Sequence, residues 1–329
     1  MTEPHSERRS PARRAGTLGV LWVIAANTAT EGMRQPIHAI LLLLGIGLLI
    51  INPLIATFTL GDDDRLLMEL GLSTIFLVGT LLAGFSSALA LGEEIRRQTV
   101  LTVLSKPVSR TTLIVGKYLG VAASLAGAWS VWGITQILVQ RHGVLATVRD
   151  TVDVPVVSFG LGGLLLVLLL ALWENWQRGR SFPSRLSVWS TRLAPLVALV
   201  TLSVSRDWAL ISPLSGLDGD LLGALWLLLL ALLLLGAIAL AASTRLGTMA
   251  TLGVTAAAFL IGMVGGALAE GTLLRFLLPN LQLLWVSDGL VRGGSLDAEL
   301  LLTTTAWALA YSGATLTLAT LLFRGRDVA

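Results

Sequence analysis

The sequence predicts an all-α fold, a polytopic bundle of transmembrane helices, and three observations carry that prediction. Hydrophobic residues make up 54% of the chain and charged residues 13%, with a mean hydropathy of +0.81, whereas a soluble domain carries about 25% charge. The apolar residues are gathered into runs long enough for the roughly 20 helical residues that cross about 30 Å of hydrocarbon. These runs are continuous in Leu, Ala, Val and Gly and do not alternate. That argues against barrel strands; within lipid a helix satisfies its backbone internally.

The chain opens on a basic, proline-containing tail, residues 1–16 with "RRSPARRAG", read as disordered. A twin-arginine or Sec signal begins in a similar way, but no clear A-x-A cleavage site follows. Residues 17–35 keep Asn27, Glu31 and Arg34 among Leu18, Leu21, Trp22 and Ala25, the pattern of a helix lying in the membrane interface. From there to residue 329 the chain reads as one membrane domain of about eight spans (six to eight) of crossing length. They fall at residues 37–58, 70–91, 114–138, 157–174, 193–209, 221–243, 250–269 and 300–322. The fifth is the weakest, because "LAPLVALVTLSVS" is short and contains Pro195.

Charge placement tests the count. Taken alternately, one set of connections holds most of the 23 basic residues: the N-terminal arginines, Arg96, Arg97, Lys106, Arg110 and Lys117, the group Arg178 to Arg192, and Arg324 with Arg326. The other set collects acid, as in "GDDDR" and at Asp218 and Asp220. The positive-inside rule then places both termini in the cytoplasm, in a protein of the cytoplasmic membrane. A formal charge of +3 is too small to suggest nucleic acid, and the chain has no cysteine, hence no disulfide or thiol chemistry.

Catalytic patterns are missing. "TTLIVGKY" ends in Gly-Lys but lacks the leading Gly and the following Ser or Thr of a phosphate loop. His5, His38 and His142 offer no metal-ligand spacing, and there is no HExxH or GxSxG. The spans carry almost no ionisable residues, with Glu174, Arg206 and Asp207 at their ends. Ion-coupled transporters place such groups at depth. If this protein moves something, the energy enters from outside the bilayer.

The densest charge in mid-chain is "EEIRRQTVLTVLSKPVSR", residues 93–110. Glu93 and Glu94 are expected to start a short helix, where acids complement the dipole, and Arg96 and Arg97 add a basic rim. Val100, Val103 and Leu104 share one apolar face. Pro107 ends that helix, and Ser109 is placed to cap the next one. Arg110 and Lys117, seven residues apart, share a face from which both can snorkel to the cytoplasm. From the residues alone this is either a solvated connector or a docking element for a soluble partner.

"EEIRRQTVLTVLSKPVSRTTLIVGKYLG" resembles the signature of ABC-2-type transporter permeases, near the branch of nitrous-oxide-reductase maturation permeases. "NTATEGMRQPI" looks like that family's elbow helix, "LGLSTIFLVGTLLAGFSSALALGEE" like its second span, and "LPNLQLLWVSDGL" and "LFRGRD" like the end of one subfamily. The likeness is strong over residues 20–125, patchy over 240–329 and weak between them. Eight spans depart from the family's usual six. The resemblance implies a membrane subunit that pairs with a second permease, as a homodimer or otherwise, and sits above two soluble ATPase subunits. ATP and Mg would be held by that partner, with no cofactor on this chain. Residues 93–113 would be the coupling loop, with Glu93, Glu94, Arg96, Arg97, Val100, Val103, Leu104, Pro107, Ser109 and Arg110 meeting the ATPase.

Small residues suggest where helices approach closely in lipid: Gly116, Gly120, Ser124 and Ala128 in the third span, Gly79, Ala83 and Ser87 in the second, and Gly262 with Gly266 in the seventh. Gly and Ala are frequent throughout, so any one ridge is weak evidence. Trp173, Trp176, Trp208 and Trp285 lie where interface anchors should. No polar stripe defines a substrate, and a lateral, lipid-accessible route for an amphipathic molecule is one expectation. The competing functions are a membrane scaffold through which an ATPase matures a partner protein, and a lipid enzyme built on "ENWQRGRSFPSR".

Overall fold

The computed structural model describes residues 17–57, 63–96, 109–145, 151–268, 278–291 and 293–324. Among them the secondary structure is helical apart from one isolated bridge between Val204 and Leu210. The helices are α1 (Thr17–Arg34), α2 (Pro36–Ala56), α3 (Asp63–Arg96), α4 (Arg110–His142), α5 (Val154–Arg178), α6 (Phe182–Leu202), α7 (Gly219–Ser243), α8 (Thr248–Leu268), α9 (Ser287–Val291) and α10 (Ala298–Arg324), with a 3-10 turn at Leu281–Leu283. The protein is a polytopic helical bundle, and seven of these helices are long and apolar enough to cross a membrane.

Local chemistry sets the boundaries. Pro36 occupies the first turn of α2, after Gln35 in an extended conformation, where its missing N–H costs nothing. Ser109 caps α4 as the sequence predicts: its Oγ accepts from Thr112 N at 3.0 Å. Asp153 caps α5 through Val156 N, and Asp218 caps α7 through Asp220 N. Between α5 and α6 the chain turns at Gly179, whose φ of 59° is left-handed and suits a residue without Cβ.

The eight long helices α2 to α8 and α10 alternate in direction along the bundle, with α2 beginning beside the middle of α4, where α1 ends. At the first end, Leu91 of α3, Leu113 and Ile114 of α4, Leu240 and Ala241 of α7, and Ala319 and Phe323 of α10 pack together. At the second end, Ala56 of α2, Leu67 of α3 and Val139 of α4 do so. α10 lies parallel to α7, because Leu296 N donates to Asp220 Oδ1 where both begin and Phe323 meets Leu240 where both finish. α1 starts, and α10 ends, at the first end.

α7 occupies the centre. Its sequence, GDLLGALWLLLLALLLLGAIALAAS, is apolar all round, and 83% of its most apolar window is buried. A helix with no polar face has to be surrounded. α3 closes on it where Gly79 faces the Leu232 side chain and Ser87 Oγ donates to Gly236 O at 3.0 Å.

Three expectations need correcting. The fifth span does not cover 193–209: its helix, α6, begins at Phe182 and stops at Leu202, and residues 203–211 turn back on themselves through Ser205 N to Ala209 O and Ile211 N to Ser203 O. Pro195 sits inside α6 without ending it. Arg185, Arg192 and several serines make its first half too polar to read as a span, yet α6 returns antiparallel to α5 across the same distance. Glu93 and Glu94 do not start a helix; they belong to the last turns of α3, which passes through Gly92 and runs to Arg96 with no proline to stop it. Lys117 does not reach out to solvent but is 3% exposed.

Candidate functional site

α4 is the hub of the bundle, touching α1, α2, α3, α5, α6, α7 and α10. It reaches its neighbours in two ways. Along its first half, the small residues predicted to form a ridge meet α1, which runs parallel to it. Gly116 faces Ile24, Gly120 faces Ala25 and Thr28, and Ser124 lies beside Gly32. A Cβ built on Gly120 would sit 2.5 Å from Thr28 Cβ and 2.6 Å from Ala25 O, closer than any side chain tolerates. The predicted elbow helix is therefore seated on α4, and it keeps Leu18, Trp22 and Val23 exposed on its other face.

Further along, α4 donates side-chain hydrogen bonds to backbone carbonyls of its neighbours. Tyr118 reaches Leu233 O and Trp129 reaches Leu225 O, both on α7. Trp132 Nε1 donates to Leu42 O of α2 at 3.0 Å, its ring lying against Gly45. Gln136 donates to Leu67 O of α3 and fits over Gly71. Arg110, at the start of α4, donates to Phe323 O and lies over the Phe323 ring. The run "AWSVWGITQILVQRH" carried a legible signal, since Trp132, Gln136 and Gln140 recur at i+4 and must share a face.

Of the predicted docking residues, Arg97, Val100, Val103, Leu104 and Pro107 lie outside the described residues. The backbones of Glu93, Glu94 and Arg96 end α3, while Ser109 and Arg110 begin α4. The segment thus joins the ends of α3 and α4, helices of 34 and 33 residues. Gly262 packs on Leu281 and Pro279 O rather than on another long helix, and Gly266 follows in the same helix, α8. Trp285 stacks on Phe76.

Two ion-pair clusters bracket the α5–α6 hairpin. Near its turn, Glu174 is 4% exposed and is held by Arg180 at 3.1 Å and Arg185 at 3.3 Å. The only carboxylate of "ENWQRGRSFPSR" is thereby engaged in closing the hairpin. At the opposite end Asp153 is fully buried; it pairs with Arg141 at 3.1 Å and Arg206 at 3.4 Å. Arg141 also donates to Thr201 O and Val204 O. This cluster ties the end of α4, the start of α5 and the end of α6 into one joint.

Between that joint and the middle of the bundle lies an apolar cleft of about 650 Å³, walled by α2, α4, α5 and α6. It runs from Ile46 to Thr57 along α2 and its C-cap, from Val131 to His142 on α4, from Val156 to Val167 on α5 and from Ser190 to Val197 on α6. The α2, α4 and α5 walls are each about three turns, roughly 16 Å at about 1.5 Å per residue, and the α6 wall is about two turns. Ile50, Leu54, Val157 and Leu161 form an exposed, apolar rim. Thr57, Thr135, His142 and Ser190 are the polar lining residues. No family model matches this sequence, and no curated protein matches it either.

Proposed function

We propose that this membrane protein is the permease subunit of an ATP-binding-cassette exporter, driven by a separate soluble ATPase that docks on residues 93–110. The observation that carries the reading is the position of that segment. It resembles the coupling loop of ABC-2-type permeases, and it leads directly into the hub helix α4. A push on the segment enters α4 at Ser109, is shared with α10 through Arg110 and Phe323 O, and arrives at the wall of the apolar cleft. Packed helices respond to such a push as stiff bodies. The first end of the bundle is then cytoplasmic, in accord with the arginine distribution, and ATP with Mg belongs to the partner. Export is favoured over a maturation scaffold by the cleft, which gives α4 a ligand-sized space to act on.

The test is tagged full-length chain solubilised from its native membrane. A vanadate-sensitive ATPase activity should co-purify, and the chain stripped of it should bind no ATP. Leu104→Asp should abolish co-purification, because a docking helix cannot bury an unpaired carboxylate. Arg97→Ala should weaken it by roughly 1 kcal/mol or less, and by still less in high salt. Unchanged recovery of ATPase activity with Leu104→Asp would sink the reading. Orientation is checked separately in the naturally cysteine-free chain: Trp176→Cys, near the α5–α6 turn, should react with an impermeant thiol reagent only after the membrane is opened.

A further inference from the structure

We propose that the cleft walled by α2, α4, α5 and α6 is a binding site for one acyl chain of a zwitterionic aminophospholipid. The site stands on the cleft itself and does not depend on coupling to an ATPase. Three features select the occupant. The roughly 16 Å length of the α2, α4 and α5 walls equals about half of a 30 Å hydrocarbon layer, so the cleft is as long as one leaflet. Its volume of about 650 Å³ falls within the roughly 300–1,000 Å³ of small-ligand sites. Its rim, at Leu54 and Leu161, is exposed and apolar, so a chain can enter sideways from lipid.

Both signs of charge flank the end of α4, where the cleft finishes. Arg206, with its side chain about half exposed, donates to His142 O. On the other flank the exposed Asp64 carboxylate approaches to 4.0 Å from where a Cβ on Gly143 would lie. In the joint beneath, Asp153 pairs with both Arg141 and Arg206, so two guanidinium groups share one carboxylate and the cluster keeps one positive charge in excess. A headgroup there meets a guanidinium suited to phosphate and a carboxylate suited to a hydrogen-bonding ammonium. A primary ammonium supplies N–H donors to that carboxylate; a quaternary one does not. A headgroup that is only anionic would leave Asp64 facing like charge.

The experiment is native mass spectrometry of the detergent-solubilised full chain, titrated separately with dioleoyl phosphatidylethanolamine, phosphatidylcholine and phosphatidylglycerol. The ethanolamine lipid should bind at least about fivefold more tightly than either of the others. Asp64→Asn should erase its advantage over phosphatidylglycerol, and Arg206→Gln should weaken all three lipids. Gly160→Leu, which fills the cleft from a position with nothing within 4 Å, should reduce ethanolamine-lipid binding at least tenfold. A second readout leaves the cleft unfilled: a fluorophore on Leu161→Cys in phosphatidylcholine nanodiscs, quenched by brominated-acyl phosphatidylethanolamine. Quenching should saturate at a low mole fraction there, and rise only in proportion to mole fraction for a fluorophore on Leu309→Cys, on the exposed face of α10. Equal affinity for the three lipids, wild-type binding by Gly160→Leu, or proportional quenching at both positions would each overturn the proposal.

Discussion

The two ends of α4 meet their neighbours by opposite means. From Arg110 to Gly127 the helix is closed down on α1, backbone against backbone, because Gly116, Gly120 and Ser124 present no bulk. From Val131 to His142 its side chains are larger, α5 stands off, and the apolar cleft opens between them. Within hydrocarbon there is no hydrophobic drive to shut such a gap, since lipid fills it as well as protein does. Close approach therefore has to come from small residues or from polar contacts. The first end uses small residues; at the second, the charged joint around Asp153 holds the helix ends together while the middle of the wall stays apart. One helix thus combines a close backbone attachment to α1 with one wall of an apolar cleft.

The comparison breaks most readily at Gly120. Gly120→Leu should cost about 3 kcal/mol, at the upper part of the overpacking range, and unseat α1. Thermal unfolding in detergent and protease cleavage within residues 17–34 would both report it. At the second end, Arg141→Gln leaves fully buried Asp153 with Arg206 as its remaining ion-pair partner. Loss of a partner from a buried ion pair costs about 3–5 kcal/mol; with Arg206 still present, about 2 kcal/mol is expected in an equilibrium unfolding titration. Asp153→Asn on top of Arg141→Gln should recover part of that loss, since the amide can still cap α5. An Arg141→Gln single variant as stable as wild type would mean the joint does not hold the helix ends.

Trp132→Phe removes the donor to Leu42 O but keeps most of the ring against Gly45. A loss of about 1 kcal/mol is expected, nearer 0.6 if the bilayer average applies. The smallest effect has the opposite sign. Gly160→Ala places a methyl in open space in the cleft wall; lowering unfolded-chain entropy should make it neutral or stabilising by up to about 1 kcal/mol. Gly120→Ala, chemically the same change, should destabilise because of the 2.5 Å approach to Thr28. If both alanines shift the melting temperature in the same direction, the contrast between the two ends is wrong.

The sequence by itself determined the class of the protein, the order of its long helices and many of their limits. Those properties are local. Ser109 caps its own turn as predicted, and an apolar run must form a helix in lipid whatever surrounds it; the structure adds Pro36, Asp153, Gly179 and Asp218 as further boundary residues that act on their own turns. The sequence also marked Gly116, Gly120 and Ser124 as a close-contact ridge, because the absence of side chains is visible in a string of letters. The limits of α6 escaped it, since Arg185 and Arg192 mask a membrane-length helix whose partner α5 lies next to it in space. It did not reveal that Glu93 and Glu94 continue α3, because acids suit a helix start but do not create one. Only the tertiary structure decided that the ridge belongs to α1, that Arg141 and Arg206 converge on Asp153, and that the walls of α2, α4, α5 and α6 leave a cleft. Each of these depends on which faces of separate helices meet, and in a chain so uniformly apolar almost any face could have met any other.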